Sequence, residues 1–194
     1  MDLAARDYID SLEINSIPWN RMFTAYGTAD RYPQLLSEME ESIDIDHWKR
    51  AFFEISDFEH QGTLFLPAPF VLVFLGRLLR KLLEEGRGED IVKWMLDQFA
   101  YYVDICVEAE NSEHAHQLER LSDLLEDRNL LPEECTFDTL QDFFEDPEAV
   151  SDALFYSFYF YSLVVLSQVP EILDQYEAFS EESNELKGKM MTLA

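Results

Sequence analysis

Glycine is scarce in this chain, with six in 194 residues. Stretches that alternate apolar and polar residues are equally rare, so an architecture rich in strands and tight turns is disfavoured and helix is expected to dominate. Cysteine is scarcer still. Cys106 and Cys135 stand far apart, and Cys106 lies among apolar residues. Both read as reduced structural thiols, and neither belongs to a disulfide framework. Positive charge is the third shortage: 14 Lys+Arg face 40 Asp+Glu, giving a formal net charge of −26. Nucleic acid and anionic membrane surfaces both demand positive charge, so neither is an expected partner. The N-terminal residues Met1 to Tyr8 contain no basic segment followed by an apolar one. A secretory signal is not expected there, and the cytoplasm is the expected compartment.

Signatures of catalysis are lacking as well. The sequence contains no His-Glu-x-x-His, Gly-x-Ser-x-Gly, Cys-x-x-Cys or glycine-rich dinucleotide motif, and Gly86-Arg87-Gly88 lacks the third glycine and the Lys-Ser/Thr of a phosphate loop. His114 and His116 resemble a metal pair, but on a helix residues two apart point roughly 200° away from each other. His114 is in phase with Leu118, Leu121 and Leu125 and reads as a partly buried structural histidine. Glu110 and His114 have a usable i,i+4 spacing, yet two ligands do not make a site. His60 is chemically suited to general-base work. Its position at a helix junction favours a duller role, satisfying backbone groups where two helices meet. The expectation is a non-enzyme without metal or cofactor.

The chain is rich in apolar and acidic residues: 47% of it is hydrophobic, with 15 Phe. One all-helical domain over 1–179 is expected, with a polar, flexible tail over 180–194. Within it a marginal helix is expected over 3–14, and a short one from Pro18 to Gly27. A third runs from Pro33 to about Glu41, with Leu35, Leu36 and Met39 inward. Asp44 or Asp46 caps the next, in which Ile45, Trp48, Phe52 and Ile55 form one buried stripe. Gln61-Gly62-Thr63 reads as a tight turn, with Gly62 at positive φ and Thr63 capping the next helix. The secure part of that helix spans Pro69 to about Glu85 and stops at Gly86.

The second half, 89–179, carries the negative charge: 23 acidic side chains against Arg120 and Arg128 over 94–186, compared with 17 acidic and 10 basic over 1–93. Ile91, Met95, Phe99, Tyr102 and Cys106 should face inward on a helix from about Glu89 to Ala109, with Lys93, Asp97, Asp104 and Glu108 on its outer stripe. Asn111 or Ser112 should cap a helix carrying Leu118, Leu121 and Leu125. A short helix over 137–144 and the Asp146-Pro147-Glu148 helix start should come next. Residues 153–170 contain no charge and are near the lower length for a membrane span. Their serines, three tyrosines and acidic flanks favour a buried central helix, followed by one from Pro170 to about Phe179. Antiparallel pairs at a spacing of roughly 40 residues suggest a stacked HEAT-like α-α superhelix. A compact irregular helical bundle is the alternative.

Ile17-Pro18-Trp19, Ala25-Tyr26-Gly27-Thr28-Ala29, Ala51, and His60-Gln61-Gly62-Thr63 with Phe65, Ala68 and the helix to Leu79 resemble, in order and spacing, a widespread group of bacterial HEAT-like repeat proteins. The resemblance covers about residues 17–83. It implies an α-helical solenoid, and some members of that group look like immunity proteins encoded beside polymorphic toxins. It carries over no catalytic residue. The motif residues Pro18, Trp19, Tyr26, Gly27, His60, Gln61, Gly62 and Thr63 take structural roles in it, with Trp19 and Tyr26 packed against the helix junction.

The expected function is therefore binding of a basic protein, as by an immunity protein that covers the basic active face of a toxin domain such as a nuclease. The acidic residues expected to meet it are Asp138, Asp142, Glu145, Asp146 and Glu148. Self-association through the Tyr-rich helix is the second reading. A hydrolase using carboxylates with His60 or His114 and a metal is the third.

Overall fold

A computed structural model describes residues 3–134, 136–146 and 150–191. They fold into helices joined by short 3₁₀ turns and one two-stranded hairpin. In order these are α1 (Leu3–Ser11), α2 (Tyr32–Glu41), α3 (Ile45–Ile55), β1 (Glu59–His60), β2 (Thr63–Leu64), α4 (Ala68–Glu85), α5 (Glu89–Glu110), α6 (Phe137–Glu145), α7 (Asp152–Leu166), α8 (Val169–Leu173) and α9 (Ser180–Met190). The fold is all-α.

Several helices form for the reasons their sequences give. Asp44 caps α3, its carboxylate accepting from the N–H groups of Asp46 and His47. That satisfies two of the donors a helix start leaves unpaired. Trp48, Ala51, Phe52 and Ile55 of α3 are buried. So are Ile91, Met95, Phe99, Tyr102 and Cys106 of α5. Gly86 ends α4 in the left-handed conformation, with φ 61°, returning its N–H to the carbonyls of Leu82 and Leu83.

The chain departs from sequence expectation in several places. Pro18 opens only a 3₁₀ turn, Trp19–Arg21. The Trp19 indole N–H donates to the Ile14 carbonyl at 2.7 Å, and the chain then runs extended through Phe23, which bridges to Thr28. Thr63 caps no helix. It pairs with His60 in the hairpin, and α4 starts five residues later at Ala68.

Residues 111–120 are not helical. The Ser112 hydroxyl donates back to the Glu108 carbonyl at 2.8 Å, closing α5 instead of capping a new helix. Both backbone groups of Leu118 are held by α7: its N–H donates to Ser157 Oγ at 2.8 Å and its carbonyl accepts from the Tyr161 hydroxyl at 2.7 Å. Those are the groups a helix would have used internally. Leu121–Leu125 is a 3₁₀ turn.

A helix, α9, stands where a flexible tail was expected. It buries Ser183 and Leu186, while Lys187 pairs with Asp174 and Lys189 with Asp104. Cys135 and the Pro147-Glu148 pair lie outside the described residues.

At the centre, α7 packs against both α4 and α5, with α2 against α3 on one flank and α9 against α5 and α8 on another. The stretch Asp152–Leu173 has the length and apolar composition to cross a membrane, and about half of it is buried within the fold. Several of its hydroxyls have internal partners: Tyr156 donates to the Glu110 carboxylate, Tyr161 to the Leu118 carbonyl and Ser157 to the Ala153 carbonyl, whereas the buried Ser162 hydroxyl has none among the described residues. None of the α7 aromatics is exposed.

Candidate protein-interaction surface

The β1–β2 hairpin turns through Gln61 and Gly62, at φ 53° and 81°. Positive φ at both central residues makes a type I′ turn, whose twist matches that of paired strands. For Gly62 this conformation is free of side-chain strain; Gln61 is the one non-glycine residue at positive φ among those described. Side chains fix the loop from several directions. Glu59 Oε1 accepts from the Gly62 N–H at 2.7 Å and from the Tyr101 hydroxyl at 3.2 Å. The Tyr159 hydroxyl accepts from the Leu64 N–H at 3.2 Å and donates to the Gly62 carbonyl at 3.3 Å.

Beside the hairpin lies a second tight turn. Thr24 N–H donates to the Gly27 carbonyl at 2.9 Å, and the Gly27 N–H donates to Thr24 Oγ1 at 3.1 Å. Asp57 anchors this turn: its carboxylate accepts from Thr24 Oγ1 at 2.7 Å and from the Tyr32 hydroxyl, and its carbonyl accepts from the Ala25 N–H. The corner residue Tyr26 therefore projects from a rigid base. Its hydroxyl lies 3.0 Å from His60 Nδ1, with the two rings edge to face at 5.2 Å between centroids.

Tyr26 is 75% exposed and Tyr101 46%. Neither ring is buried against the helix junction. That corrects the expectation for Tyr26, whereas Trp19 is buried against Tyr32 and Phe74. The His60 ring hydrogen-bonds to a phenol and, among the described residues, to no backbone group. Burial, and then the charge of Glu59, raises the Tyr101 hydroxyl above its ordinary range, so it is a donor at neutral pH. Tyr101 shares the outer stripe of α5 with Asp97, Asp104 and Glu108, at spacings of three and four residues. Its phenol thus sits among carboxylates.

Asp142, Glu145 and Asp146 are exposed on or just after α6, with Gln141 donating to Glu145 Oε1 at 2.7 Å. Glu148 and the side chain of Asp138 lie outside the described residues. Between those acids Phe144 is 45% exposed, edge-on to Phe23 at 5.3 Å. Phe23 also meets Phe65, Phe143, Phe155 and Phe158. It stands at the base of the turn that Tyr26 tips, and so joins α6 to the hairpin region.

Elsewhere, His114 stacks on Tyr156 with ring centroids 3.7 Å apart and planes 6° from parallel. It is exposed on a non-helical segment, not partly buried on a helix. Among the described residues no group of three or more His, Cys, Asp or Glu side chains is placed to hold a metal ion. Comparison with protein families, curated proteins and solved structures yields no match to this chain.

Sequence reasoning missed Glu59 and Tyr101 as parts of this surface, and read Tyr159 only as a member of the Tyr-rich helix, not as a brace of the hairpin. A signal for the hairpin was present: Gln61-Gly62 is a two-residue positive-φ pair between short flanks. Tyr101 is in phase with the acidic stripe that the sequence does reveal.

Proposed function

We propose that this protein is a non-catalytic binding protein whose partner is a basic protein. The observation that carries the reading is the pair of exposed, rigidly mounted tyrosines, Tyr26 and Tyr101, on either side of a braced hairpin and beside Asp97, Asp104 and Glu59. Tyrosine anchors within a charged rim are the usual energetic centre of an interface. A net charge of −26 steers a cationic partner toward such a face and repels anionic ones. Asp142, Glu145 and Asp146 around Phe144 extend the same chemistry onto α6. The resemblance of residues 17–83 to bacterial HEAT-like proteins gives the partner a direction, a toxin domain with a basic active face.

For the architecture we favour a compact irregular bundle over a stacked superhelix. In a solenoid each repeat touches only its neighbours, whereas α7 packs on α4 across the whole of α5 and α6 in sequence.

The test is capture of partners from a native-host lysate on tagged protein, washed at low and then high salt. The expected result is a single basic protein, released by salt and lost when Tyr26 and Tyr101 are both changed to Ala.

A second reading, self-association as a scaffold, is favoured by a separate observation. Phe53 on α3 is 81% exposed, and the neighbouring Lys49 and Arg50 are exposed and enter no ion pair among the described residues. A cationic rim around an aromatic ring complements the acidic second half of another copy. The interface of that reading lies on α3, since the α7 tyrosines have internal partners. A sedimentation coefficient that rises with concentration and falls on Lys49→Glu/Arg50→Glu would favour it.

A further inference from the structure

Helix α1, residues 117–122 and α7 enclose a cavity of ≈ 370 Å³ that plays no part in the surface described above. Its lining includes Tyr8, Phe160, Tyr161 and Val164, with Glu119 and Arg120 among the polar groups. The Phe160 and Tyr161 rings stand 5.1 Å apart at 88°, forming two perpendicular walls. The Tyr161 wall is fixed, because its hydroxyl donates to the Leu118 carbonyl. Tyr8 supplies a third ring from α1, which Arg6 ties to Glu171 of α8.

Charge decides what such a cavity can hold. Arg120 is tethered to the buried Asp123: its Nε donates to Oδ1 and its N–H to Oδ2, both at 3.0 Å. Glu119 has no ion-pair partner among the described residues. Glu119, Arg120 and Asp123 together leave one net negative charge. Burial first, and then Asp123, raises the hydroxyls of both Tyr8 and Tyr161, so this carboxylate reaches both rings electrostatically and the phenols stay neutral. Three aromatic side chains line the cavity, and an aromatic ring face, negative at its centre, attracts a cation. The field of a chain at −26 enriches cations and depletes anions at its surface.

A primary ammonium would need about three hydrogen-bond acceptors at once, and beside the rings the lining offers Gln117, Glu119 and Ser122 for that purpose. An N-methylated one needs none, since it presents an apolar shell around a diffuse charge. The volume lies near the lower end of the roughly 300–1,000 Å³ range of small-molecule sites, which suits one small compound. We propose that the Tyr8–Phe160–Tyr161 cavity binds a small quaternary ammonium compound of the choline type, its charge against the ring faces and toward Glu119.

The test is calorimetric titration of the full chain with choline, with its neutral carbon isostere 3,3-dimethylbutan-1-ol, and with hexanoate. Choline is expected to bind saturably and about tenfold or more tighter than the isostere. Phe160→Leu should weaken choline by about tenfold. Glu119→Gln, at an exposed position where a substitution changes stability little, should weaken choline about threefold or more and leave the isostere unchanged. Equal affinity for choline and the isostere, preference for hexanoate, or no saturable choline binding by the wild type would each overturn the proposal.

Discussion

The Tyr26 hydroxyl lies 3.0 Å from Nδ1 of His60, joining two tight turns that are 34 residues apart in sequence. One turn is anchored by Asp57, the other by Glu59, Tyr101 and Tyr159. An aromatic ring held this way and still 75% exposed contributes little to folding, because most of its surface stays in water. Tyr26→Ala should therefore change the free energy of unfolding by no more than about 0.5 kcal/mol. In urea denaturation the midpoint should stay close to that of the wild type. A large downward shift would make Tyr26 a structural residue.

The turn itself can be probed by its backbone. Gln61 holds a left-handed conformation that Asn tolerates better, so Gln61→Asn should stabilise the protein by about 0.5–1 kcal/mol. Gly62→Ala should destabilise it by about 1–2 kcal/mol. A Cβ at Gly62 meets nothing within 4 Å, so the second effect is conformational strain and not a clash. Opposite shifts of the thermal midpoint in the two variants are expected; shifts of the same sign would contradict the type I′ geometry.

Leu118 offers a test of the segment that the sequence read as helix. Ser157→Ala leaves its N–H without a partner and Tyr161→Phe does the same to its carbonyl, each on the face of α7. Orphaning a fully buried backbone group costs about 1–3 kcal/mol, and Leu118 is half-buried, so about 1 kcal/mol is expected from each variant. Both variants should lower the urea midpoint while preserving cooperativity. If neither does, residues 111–120 are not docked on α7.

These cases also mark how far the fold is legible from sequence. The stripes of α3 and α5, the Asp44 cap and the Gly86 stop are local signals, set by spacing and by one or two residues, and they could be read directly. Residues 111–120 could not, because a pair of side chains about 40 positions later removes them from a helix. The same holds for α9: its own polarity suggests a frayed end, and it is recruited by burial of Leu186 and pairing with Asp174 and Asp104. Tyr26 and His60 were both visible as motif residues. Their meeting was not, since it depends on Asp57 drawing the first turn onto the end of α3.

Alkaline pH should unfold the protein cooperatively. Burial raises the hydroxyl of Tyr161 from the ordinary 10.0 to about 12, and burial likewise raises those of Tyr32, Tyr102 and Tyr156. A group whose folded value is raised stabilises the fold fully below its unfolded value and loses that contribution as pH climbs through the folded one. Stability should thus hold to about pH 10 and fall steeply toward pH 12. Tyrosinate absorbance and far-UV circular dichroism should change together in that window. Complete ionisation near pH 10 with helicity intact would contradict the burial of these phenols.

The binding account stands most directly on one comparison: the affinity of wild type and of Tyr26→Ala/Tyr101→Ala for the captured basic protein, measured at low and high salt. The account predicts that the double variant binds about 10²-fold more weakly or worse at both salt concentrations. It also predicts that wild-type affinity falls as salt rises, chiefly through a slower association rate. Equal affinity of the two proteins, with no dependence on salt, would contradict it.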